Sequence, residues 1–320
     1  MVKPCGGAMK GWNDRDKLLF KISVAYYSDD QTQQVIADRF GISRVKVCRL
    51  LKQARDEGIV SISIRGPSGG SASLERSLEE RYGLQEAIVV GVEEGSNRAA
   101  AVGAAAASYF MRIARDGLTV ALSWGAGLLP FVNALDTPVD AEVRVVQMLG
   151  GLGDAEADVH GAELVRRMAQ RLGTKPRLLQ APGIVATREV RSALASDPQI
   201  SETLSLARRA DAAFVGVGAL DESSLLRGGS IIASTELETL SNAGAIGDLA
   251  LNFFDARGQR VPSPADERVI GLSLEEIRSL PRVVAVAWGK RKVVPLRGAL
   301  LGHLVSVLVT DSEAAEGLLD

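Results

Sequence analysis

The sequence predicts a two-domain α/β protein in which a small helical unit precedes a larger unit built on a parallel sheet. Three observations carry this prediction. The chain of 320 residues is long enough for two or more domains. Its beginning contains closely spaced amphipathic helices, and beyond about residue 83 short apolar runs alternate with helical stretches. With 46% hydrophobic and 24% charged residues, the composition is that of a soluble globular protein.

The first predicted element is a helix over residues 16–27, whose apolar side includes Leu19 and Ile22. It would brace a following pair of helices. The first helix of that pair carries Ile36 on its apolar side and ends at Gly41, a residue that adopts positive φ without strain.

The helix after Gly41 has one apolar side and one basic side. Ser43 is suited to accept the N-cap hydrogen bond of this helix. Apolar residues recur at the i, i+3, i+4 and i+7 positions Val47, Leu50, Leu51 and Ala54. The opposite side carries Arg44, Val45, Lys46, Arg49 and Lys52. Residues 59–65 then alternate apolar and polar side chains, which predicts a half-buried strand.

This order of helix, turn, basic helix and strand is typical of a winged helix-turn-helix, whose second helix enters the major groove of DNA. Arg and Lys side chains there can bond guanine or phosphate oxygens, and hydroxyl or amide groups can hold the phosphate backbone. The predicted DNA-binding residues are Thr32, Gln33, Ser43, Arg44, Val45, Lys46, Arg49 and Lys52. The alternative is an ordinary helical pair with a solvated basic face, but turn, cap and apolar stripe agree in order and spacing.

The distribution of charge favours DNA binding by the first unit. Residues 1–66 contain twelve Lys/Arg and seven Asp/Glu, whereas the whole chain has a net charge of −2. A mildly acidic protein with one basic end is expected to meet a polyanion through that end alone.

The composition argues against several other classes of protein. Two cysteines, Cys5 and Cys48, are too few for a disulfide scaffold or a cysteine-rich metal site, and no metal site is predicted. Cys48 is expected to be a small, partly buried filler. The N-terminus lacks the apolar segment of a signal peptide, and no run of about 18 apolar residues predicts a membrane span. We therefore expect a cytoplasmic protein without a membrane partner.

A linker and a short helix, with Ser73 as its N-cap, are expected at residues 67–82, and the pattern then changes. Seven β-rich runs lie at residues 87–91, 118–123, 143–149, 177–181, 212–218, 283–288 and 305–311. Unbroken apolar strands separated by helices predict a Rossmann-like parallel sheet that is covered on both faces. The expected domains are thus a DNA-binding domain at 14–66 and a larger α/β domain, a candidate effector sensor, at 83–320.

A ligand is expected beyond the carboxyl ends of the strands of such a sheet. Small residues there let backbone N–H groups approach an anion, and a lysine suits a phosphate or a hydroxyl-rich anion. The predicted ligand-binding residues are Ser123, Trp124, Gly125, Ala126, Gly127, Gln147, Gly150, Gly151, Asp248 and Lys292. Alternatively, the glycines could be ordinary turns, Asp248 a helix cap and Lys292 a surface charge.

Together these motifs resemble the SorC family of bacterial transcriptional regulators, also called the SorC/DeoR group. The resemblance covers about residues 14–320, in order, and begins with the helix-turn-helix from Thr32 to Val60. Its later motifs are Ser123-Trp124-Gly125, Gln147-Met148-Leu149-Gly150-Gly151, Gly247-Asp248, Phe253-Phe254-Asp255, Lys292 and Leu308-Val309-Thr310-Asp311.

The resemblance implies an N-terminal DNA-binding domain joined to a C-terminal sugar-binding domain. The latter would be related in fold to ribose-5-phosphate isomerase and glucosamine-6-phosphate deaminase. It also implies a sugar, polyol or sugar-phosphate effector, control of a carbohydrate operon, and assembly into dimers and tetramers. Carried over by motif position, Asp248 would accept hydrogen bonds from hydroxyl groups and Lys292 would meet a phosphate or a hydroxyl. The anion loop would be shaped by Ser123, Gly125 and Gly127. The residues facing the sugar would include Gln147, Gly150 and Gly151.

Two departures from the family pattern affect this interpretation. Cys48 stands where the family commonly has serine, so its side chain lacks the hydroxyl for a phosphate contact. Ala126 and Gly127 replace residues that often bear hydroxyls, so the loop offers backbone donors but fewer side-chain donors. The change in the loop favours an effector with fewer phosphate groups, or none.

The main alternative is a sugar-phosphate isomerase or deaminase with a DNA-binding appendage. Asp221 or Asp248 would then be a base, but general acid–base catalysis requires a tuned pair within reach of the substrate. The only histidines are His160 and His303, and no nucleophile–base spacing is apparent, so an enzyme is not expected. Residues 216–219 lack the third glycine of a dinucleotide fingerprint, and no cofactor is expected either.

Overall fold

The computed structural model describes residues 13–61, 71–91, 97–135, 141–151, 161–220 and 232–320. The chain divides into two compact units, Met1–Pro67 and Ser68–Asp320. The short helix that the sequence places in a connecting segment belongs to the second of these units.

The described part of the first unit consists of three helices. They are α1 (Asp14–Tyr27), α2 (Gln33–Phe40) and α3 (Arg44–Asp56). Each helix starts after a polar side chain that accepts a hydrogen bond from the backbone of the first turn, which satisfies one of the free N–H groups there. These N-cap residues are Asn13, Thr32 and Ser43.

The turn between α2 and α3 depends on Gly41, whose φ is +64°. Its N–H donates to the carbonyl groups of Ala37 and Asp38, which closes the end of α2. The Ser43 Oγ then accepts a hydrogen bond of 3.2 Å from the Lys46 N–H and starts α3. The turn and the cap predicted from the sequence are therefore confirmed.

The apolar core of the first unit lies between the three helices. Leu19 and Ile22 of α1, Ile36 of α2 and Val47 of α3 are completely buried. The apolar stripe predicted for α3 is confirmed, because its buried residues are Val47, Leu50, Leu51 and Ala54.

Two local predictions are wrong and a third is only partly covered by the structure. Cys48 is exposed, because it follows the buried Val47 by one residue and so points to the outer side of α3. Ser73 lies inside a helix that starts at Ser71, so it is not the N-cap. Residues 59–61 form no strand, and residues 62–65 of the predicted arm lie outside the described residues.

The second unit alternates helices and strands. Its described helices are α4 (Ser71–Tyr82), α5 (Arg98–Ile113), α6 (Leu128–Asn133), α7 (Gly161–Arg171), α8 (Arg188–Ala195), α9 (Pro198–Arg208), α10 (Ser234–Asn242), α11 (Leu274–Arg278), α12 (Val293–Leu301) and α13 (Ser312–Leu319). Its described strands are β1 (Glu86–Val90), β2 (Thr119–Leu122), β3 (Arg144–Gln147), β4 (Pro176–Arg177), β5 (Ala212–Val215), β6 (Gly218–Ala219), β7 (Gly247–Leu249), β8 (Asn252–Phe254), β9 (Val283–Val286) and β10 (Val307–Asp311).

Seven of these strands form one sheet in the order β1-β10-β9-β5-β2-β3-β4, and all of its strand pairs are parallel. The predicted parallel sheet is confirmed. The run at residues 177–181 contributes less than expected, because only Pro176–Arg177 pair with the sheet. The parallel direction brings the carboxyl ends of all seven strands to one edge.

Both faces of this sheet are packed. In β9, Val283 and Ala285 belong to one apolar cluster, whereas Val284 and Val286 belong to the other. The alternation follows from the two-residue period of a strand and explains why its apolar run is unbroken.

The edge strand β1 is protected by α4. The backbone N–H groups of Ala87 and Val89 donate to the carboxylates of Glu79 and Glu75, each at 2.9 Å. These N–H groups would otherwise be free to pair with another chain. The α4 carboxylates thus satisfy two of the N–H groups on the open edge of the sheet.

A second, antiparallel sheet of β6, β7 and β8 was not predicted. Its β7–β8 turn uses Ala250 and Leu251 at φ values of +51° and +65°, without glycine. The Asn252 side chain holds this turn by donating to the carbonyl groups of Leu249, Ala250 and Leu272. The sheet matters for function because it carries Asp248.

Among the described residues, no helix is both long enough and apolar enough to cross a membrane.

Gly41→Ala is expected to destabilise the first unit by about 1–2 kcal/mol, because alanine is strained at positive φ. No atom lies within 4 Å of an added Cβ at this position, so the effect should come from the backbone alone. Gly41→Asn is the matched control, because asparagine tolerates this conformation better. Urea unfolding monitored by circular dichroism would measure both. Equal losses of unfolding free energy in the alanine and asparagine variants would contradict this explanation.

Candidate functional site

The carboxyl edge of the parallel sheet gathers residues from several parts of the sequence. The neighbouring strands β2, β5 and β9 are followed there by three short segments. We define the carboxyl-edge site as Ser123–Gly127, Gly216–Gly218, Asp248 and Gly289–Lys292. The three remaining predicted ligand-binding residues lie at the carboxyl end of β3, on the other side of β2: Gln147 ends the strand, and Gly150 and Gly151 come after it.

The segment after β2 is fixed to its neighbours by short contacts. The Ser123 Oγ donates to the Trp124 carbonyl at 3.2 Å and accepts from the Gly216 N–H at 3.3 Å. Gly127 approaches β9 so closely that an added Cβ would lie 2.5 Å from the Val286 carbonyl oxygen. Gly125 has a φ of +125°, and Ala126 is exposed. The segment therefore forms a defined loop of small residues at the sheet edge.

The helix after this loop, α6, has only six residues and no side-chain N-cap. The helix macrodipole is the sum of aligned peptide dipoles. A helix of six residues therefore adds little to anion binding. Any attraction for an anion at this loop must come mainly from its own N–H groups.

Asp248 is buried against the second of these segments. The residue is 3% exposed, and its register partner in the small sheet is Gly218. An added Cβ on Gly218 would lie 1.7 Å from Asp248 Oδ1, so only glycine fits opposite this carboxylate. The other oxygen, Oδ2, accepts a hydrogen bond of 3.1 Å from the Leu251 N–H.

The pKa of Asp248 is raised from 3.8 to about 6. Burial is the main cause, because it disfavours the charged form. The Leu251 N–H and the positive charge of Lys292 act in the opposite direction and lower the pKa. The carboxylate is therefore only partly compensated in this structure, and a ligand with hydroxyl donors would suit it.

Lys292 connects two segments of the site. It ends a 3-10 turn, Lys290–Lys292, and its backbone N–H donates to the Gly289 carbonyl at 3.0 Å. Its Nζ donates to the Val217 carbonyl at 2.7 Å. Lys292 thus holds the segment after β9 against the segment after β5 while its charge acts on Asp248.

A further acidic residue, Asp311 at the end of β10, was missed by the sequence analysis as a functional residue. It is completely buried and accepts hydrogen bonds of 3.0 Å from the N–H groups of Gly289 and Ala314. Its second oxygen pairs with Arg98 Nε at 3.1 Å, and Arg98 also pairs with Glu313. Asp311 thereby anchors the glycine at which the Lys292 segment begins. The available signal was an acidic residue at the end of the β-rich run at 305–311.

The predicted residues at the end of β3 use their polar groups in hydrogen bonds within the protein. The Gln147 amide donates to the Leu149 carbonyl at 2.6 Å and accepts from the Leu179 N–H at 3.2 Å. The N–H groups of Gly150 and Gly151 donate to the carbonyls of Ile270 and Ala181 at 2.9 and 2.8 Å. These residues shape the chain beside the site, and direct contact between them and a ligand stays a prediction.

Seven of the eight predicted DNA-binding residues of the first unit are exposed, and the eighth, Gln33, is half-buried. The hydroxyl oxygens of Thr32 and Ser43 accept N-cap hydrogen bonds. Their O–H groups are left to donate a hydrogen bond to DNA. Arg49 and Lys52 lie on the side of α3 opposite its buried stripe.

Groups suited to catalysis or to metal binding are sparse in the described part of the second unit. No group of three or more His, Cys, Asp or Glu residues suited to a metal ion occurs among the described residues. His303 is exposed at a φ of +51° in the turn after α12. His160 and Asp221, both considered for the enzyme alternative, lie outside the described residues.

Asp248→Asn is expected to remove a pH-dependent loss of stability. Since the pKa of Asp248 is higher in the folded protein than its ordinary value of 3.8, the folded state binds the proton more tightly. The stabilisation is complete below pH 4 and is lost as the pH rises through about 6. The loss amounts to about 3 kcal/mol.

Asparagine does not titrate. Between about pH 4 and about pH 7.5, the free energy of unfolding of the variant should therefore rise relative to that of the wild type by up to this amount. Urea unfolding of both proteins at the two pH values measures the difference. A stability difference that does not change with pH would refute the role assigned to Asp248.

Comparison with known proteins agrees with the fold and with the motifs. A family model described as "Putative sugar-binding domain" matches residues 67–320. The "Deoxyribonucleoside regulator" of Bacillus subtilis (strain 168) is 32% identical over 318 residues, which cover 96% of this chain and 99% of the relative. The "Sorbitol operon regulator" of Klebsiella pneumoniae is 29% identical over 317 residues, with coverages of 96% and 99%.

Among solved structures, the full-length sorbitol operon regulator SorC from Klebsiella pneumoniae matches with a TM-score of 0.76. That match has 29% sequence identity and covers 95% of this chain and 99% of the other. The resemblance inferred from separate motifs is confirmed by matches that extend over nearly the whole sequence. The chain therefore belongs to the SorC family of sugar-binding transcriptional regulators.

Proposed function

We propose that this protein regulates a carbohydrate or polyol catabolism operon and that an effector bound by the second unit controls its affinity for DNA. The first unit would act as a winged helix-turn-helix, and the second as a Rossmann-like effector-binding domain. The observation that carries the effector assignment is the buried Asp248 beside Lys292 at the carboxyl-edge site. Membership of a family of regulators supports the assignment of the first unit.

The chemistry of the site suits a polyhydroxylated ligand. Hydroxyl groups would donate to the Asp248 carboxylate, which already accepts a hydrogen bond from the Leu251 N–H. The Lys292 ammonium group would meet a phosphate or a hydroxyl, with its Val217 contact holding it in place. The loop Ser123–Gly127 would add backbone N–H groups. The names of two relatives refer to deoxyribonucleosides and to sorbitol, and a sugar, polyol or sugar phosphate fits the same chemistry.

The effector must bind two conformations of the protein with different affinities if it is to change DNA binding. Symmetric oligomers, such as a dimer of dimers, would pair two first units on a two-fold symmetric operator. Contacts of Lys and Arg with phosphates would make this binding weaken as salt is added. A cytoplasmic location and the absence of a membrane partner stay predictions from the sequence.

A catalytic role for the same site is the second candidate, and the raised pKa of Asp248 is the observation that favours it. A base alone does not suffice for isomerisation, which also needs a proton donor near the substrate. The relatives are named as regulators, which favours a non-enzymatic function. Assays of isomerase and deaminase turnover on sugar phosphates distinguish the two candidates.

Arg49→Ala is expected to weaken operator binding by about 1–3 kcal/mol if Arg49 makes a bidentate contact with a guanine. Fluorescence anisotropy with a labelled duplex from the protein's own promoter measures the change. Arg55→Ala is the control, because Arg55 lies in the last turn of the same helix, away from the end expected at the bases. Equal affinities for the Arg49 variant and the wild type would remove this role from Arg49.

Lys292→Ala is expected to abolish the effector response and leave operator binding intact, since the residue lies in the second unit. The effector is first identified by a thermal-shift screen of free and phosphorylated sugars and polyols, in which a ligand raises the melting temperature. A dose–response curve for release or enhancement of DNA binding then compares the variant with Lys175→Ala. Lys175 is an exposed lysine directly before β4, at the opposite edge of the same sheet. A normal response of the Lys292 variant would refute the assignment.

A further inference from the structure

The outer face of α3 contains an apolar residue that the fold does not explain. Val45 is 79% exposed, more than the other exposed large hydrophobic residues of the described chain. At 3.6 residues per turn, it lies directly opposite the stripe that includes Val47 and Ala54. Its side chain therefore points straight away from the core of the first unit.

A valine at this position does not help the helix to fold. Its branched side chain is less favourable in a helix than alanine, and no burial compensates for this. Single exposed apolar residues are common on protein surfaces and carry no meaning by themselves. The position of this one is what distinguishes it, because it lies in the first turn of the helix expected to enter the major groove.

The neighbours of Val45 on this face place it among base-contacting groups. Cys48, Arg49 and Lys52 follow it at i+3, i+4 and i+7, and all three are exposed. Arg49 lies one turn further along the helix, a distance of about 6 Å or roughly one to two base-pair steps. Val45 and the exposed thiol of Cys48 thus form a small apolar surface next to two cations.

The major groove offers one apolar group that such a surface can recognise. Among the base edges, only thymine presents a methyl group, at C5, whereas the other groups are hydrogen-bond donors or acceptors. We propose that Val45 is a specificity-determining residue that contacts a thymine methyl group, one to two steps from the base contacted by Arg49. This inference rests on the proposed DNA-binding function of the first unit and names the base that this unit selects.

The test uses duplexes of the protein's own promoter made with thymine or with deoxyuridine throughout. Deoxyuridine keeps the base-pairing groups and the O4 acceptor and removes only the methyl groups. Using the full-length chain in anisotropy titrations, we expect the wild type to bind the deoxyuridine duplex about four-fold more weakly for each methyl group contacted. Val45→Ala should bind the thymine duplex more weakly than the wild type and should discriminate between the two duplexes by less than about two-fold.

The comparison with the variant separates contact with Val45 from any effect of the methyl groups on DNA shape. Val294→Ala is the matched control, because Val294 is a 60% exposed helical valine in the second unit. It should discriminate between the duplexes as the wild type does. Because Val45 is exposed and alanine is the better helix former, its variant should melt at the temperature of the wild type or slightly above it.

Several results would overturn the inference. Equal discrimination by the wild type and Val45→Ala would show that the methyl groups are read elsewhere. Unchanged affinity of Val45→Ala for the thymine duplex would also show that Val45 does not contact a methyl group. In both cases the proposed DNA-binding function would stand. Failure of the wild type to bind either duplex at low salt would overturn the proposed function together with this inference.

Discussion

The common direction of the seven strands is the constraint on which the site depends. Because every pair in the main sheet is parallel, the carboxyl ends of β2, β5, β9 and β10 meet at one edge. Residues separated by up to about 190 positions in sequence, from Ser123 to Asp311, are brought together in this way. The helices that connect the strands cover both faces, so that this edge is where short polar segments can converge.

Two buried carboxylates have different roles at this edge. Asp311 accepts hydrogen bonds from the Gly289 and Ala314 N–H groups through Oδ1 and forms an ion pair with Arg98 through Oδ2, and it positions the start of the Lys292 segment. Asp248 is balanced less completely, as its raised pKa indicates. A carboxylate that has lost its water without a full set of donors is costly, and hydroxyl groups of a ligand would reduce that cost. Asp311 therefore belongs to the scaffold of the site, and we propose that Asp248 contacts the ligand.

The sequence predicted those features that depend on local chemistry or on a regular period. The turn at Gly41, the cap at Ser43 and the buried stripe of α3 each follow from a few adjacent residues, and the parallel sheet follows from unbroken apolar runs. The small antiparallel sheet could not be predicted, because its strands are two or three residues long and its turn uses Ala250 and Leu251 without glycine. The engagement of Gln147 by the Leu179 N–H depends on a tertiary contact that has no local signature.

The central claim is that ligand binding in the second unit changes the affinity of the first unit for DNA. The most direct test measures the affinity of the wild type for its labelled promoter duplex, by anisotropy, with and without each compound that raises its melting temperature. The compounds would be free and phosphorylated sugars and polyols. The account predicts that at least one of them shifts the dissociation constant by about five-fold or more. If a compound stabilised the protein and none altered its affinity for DNA, the proposed coupling would be contradicted.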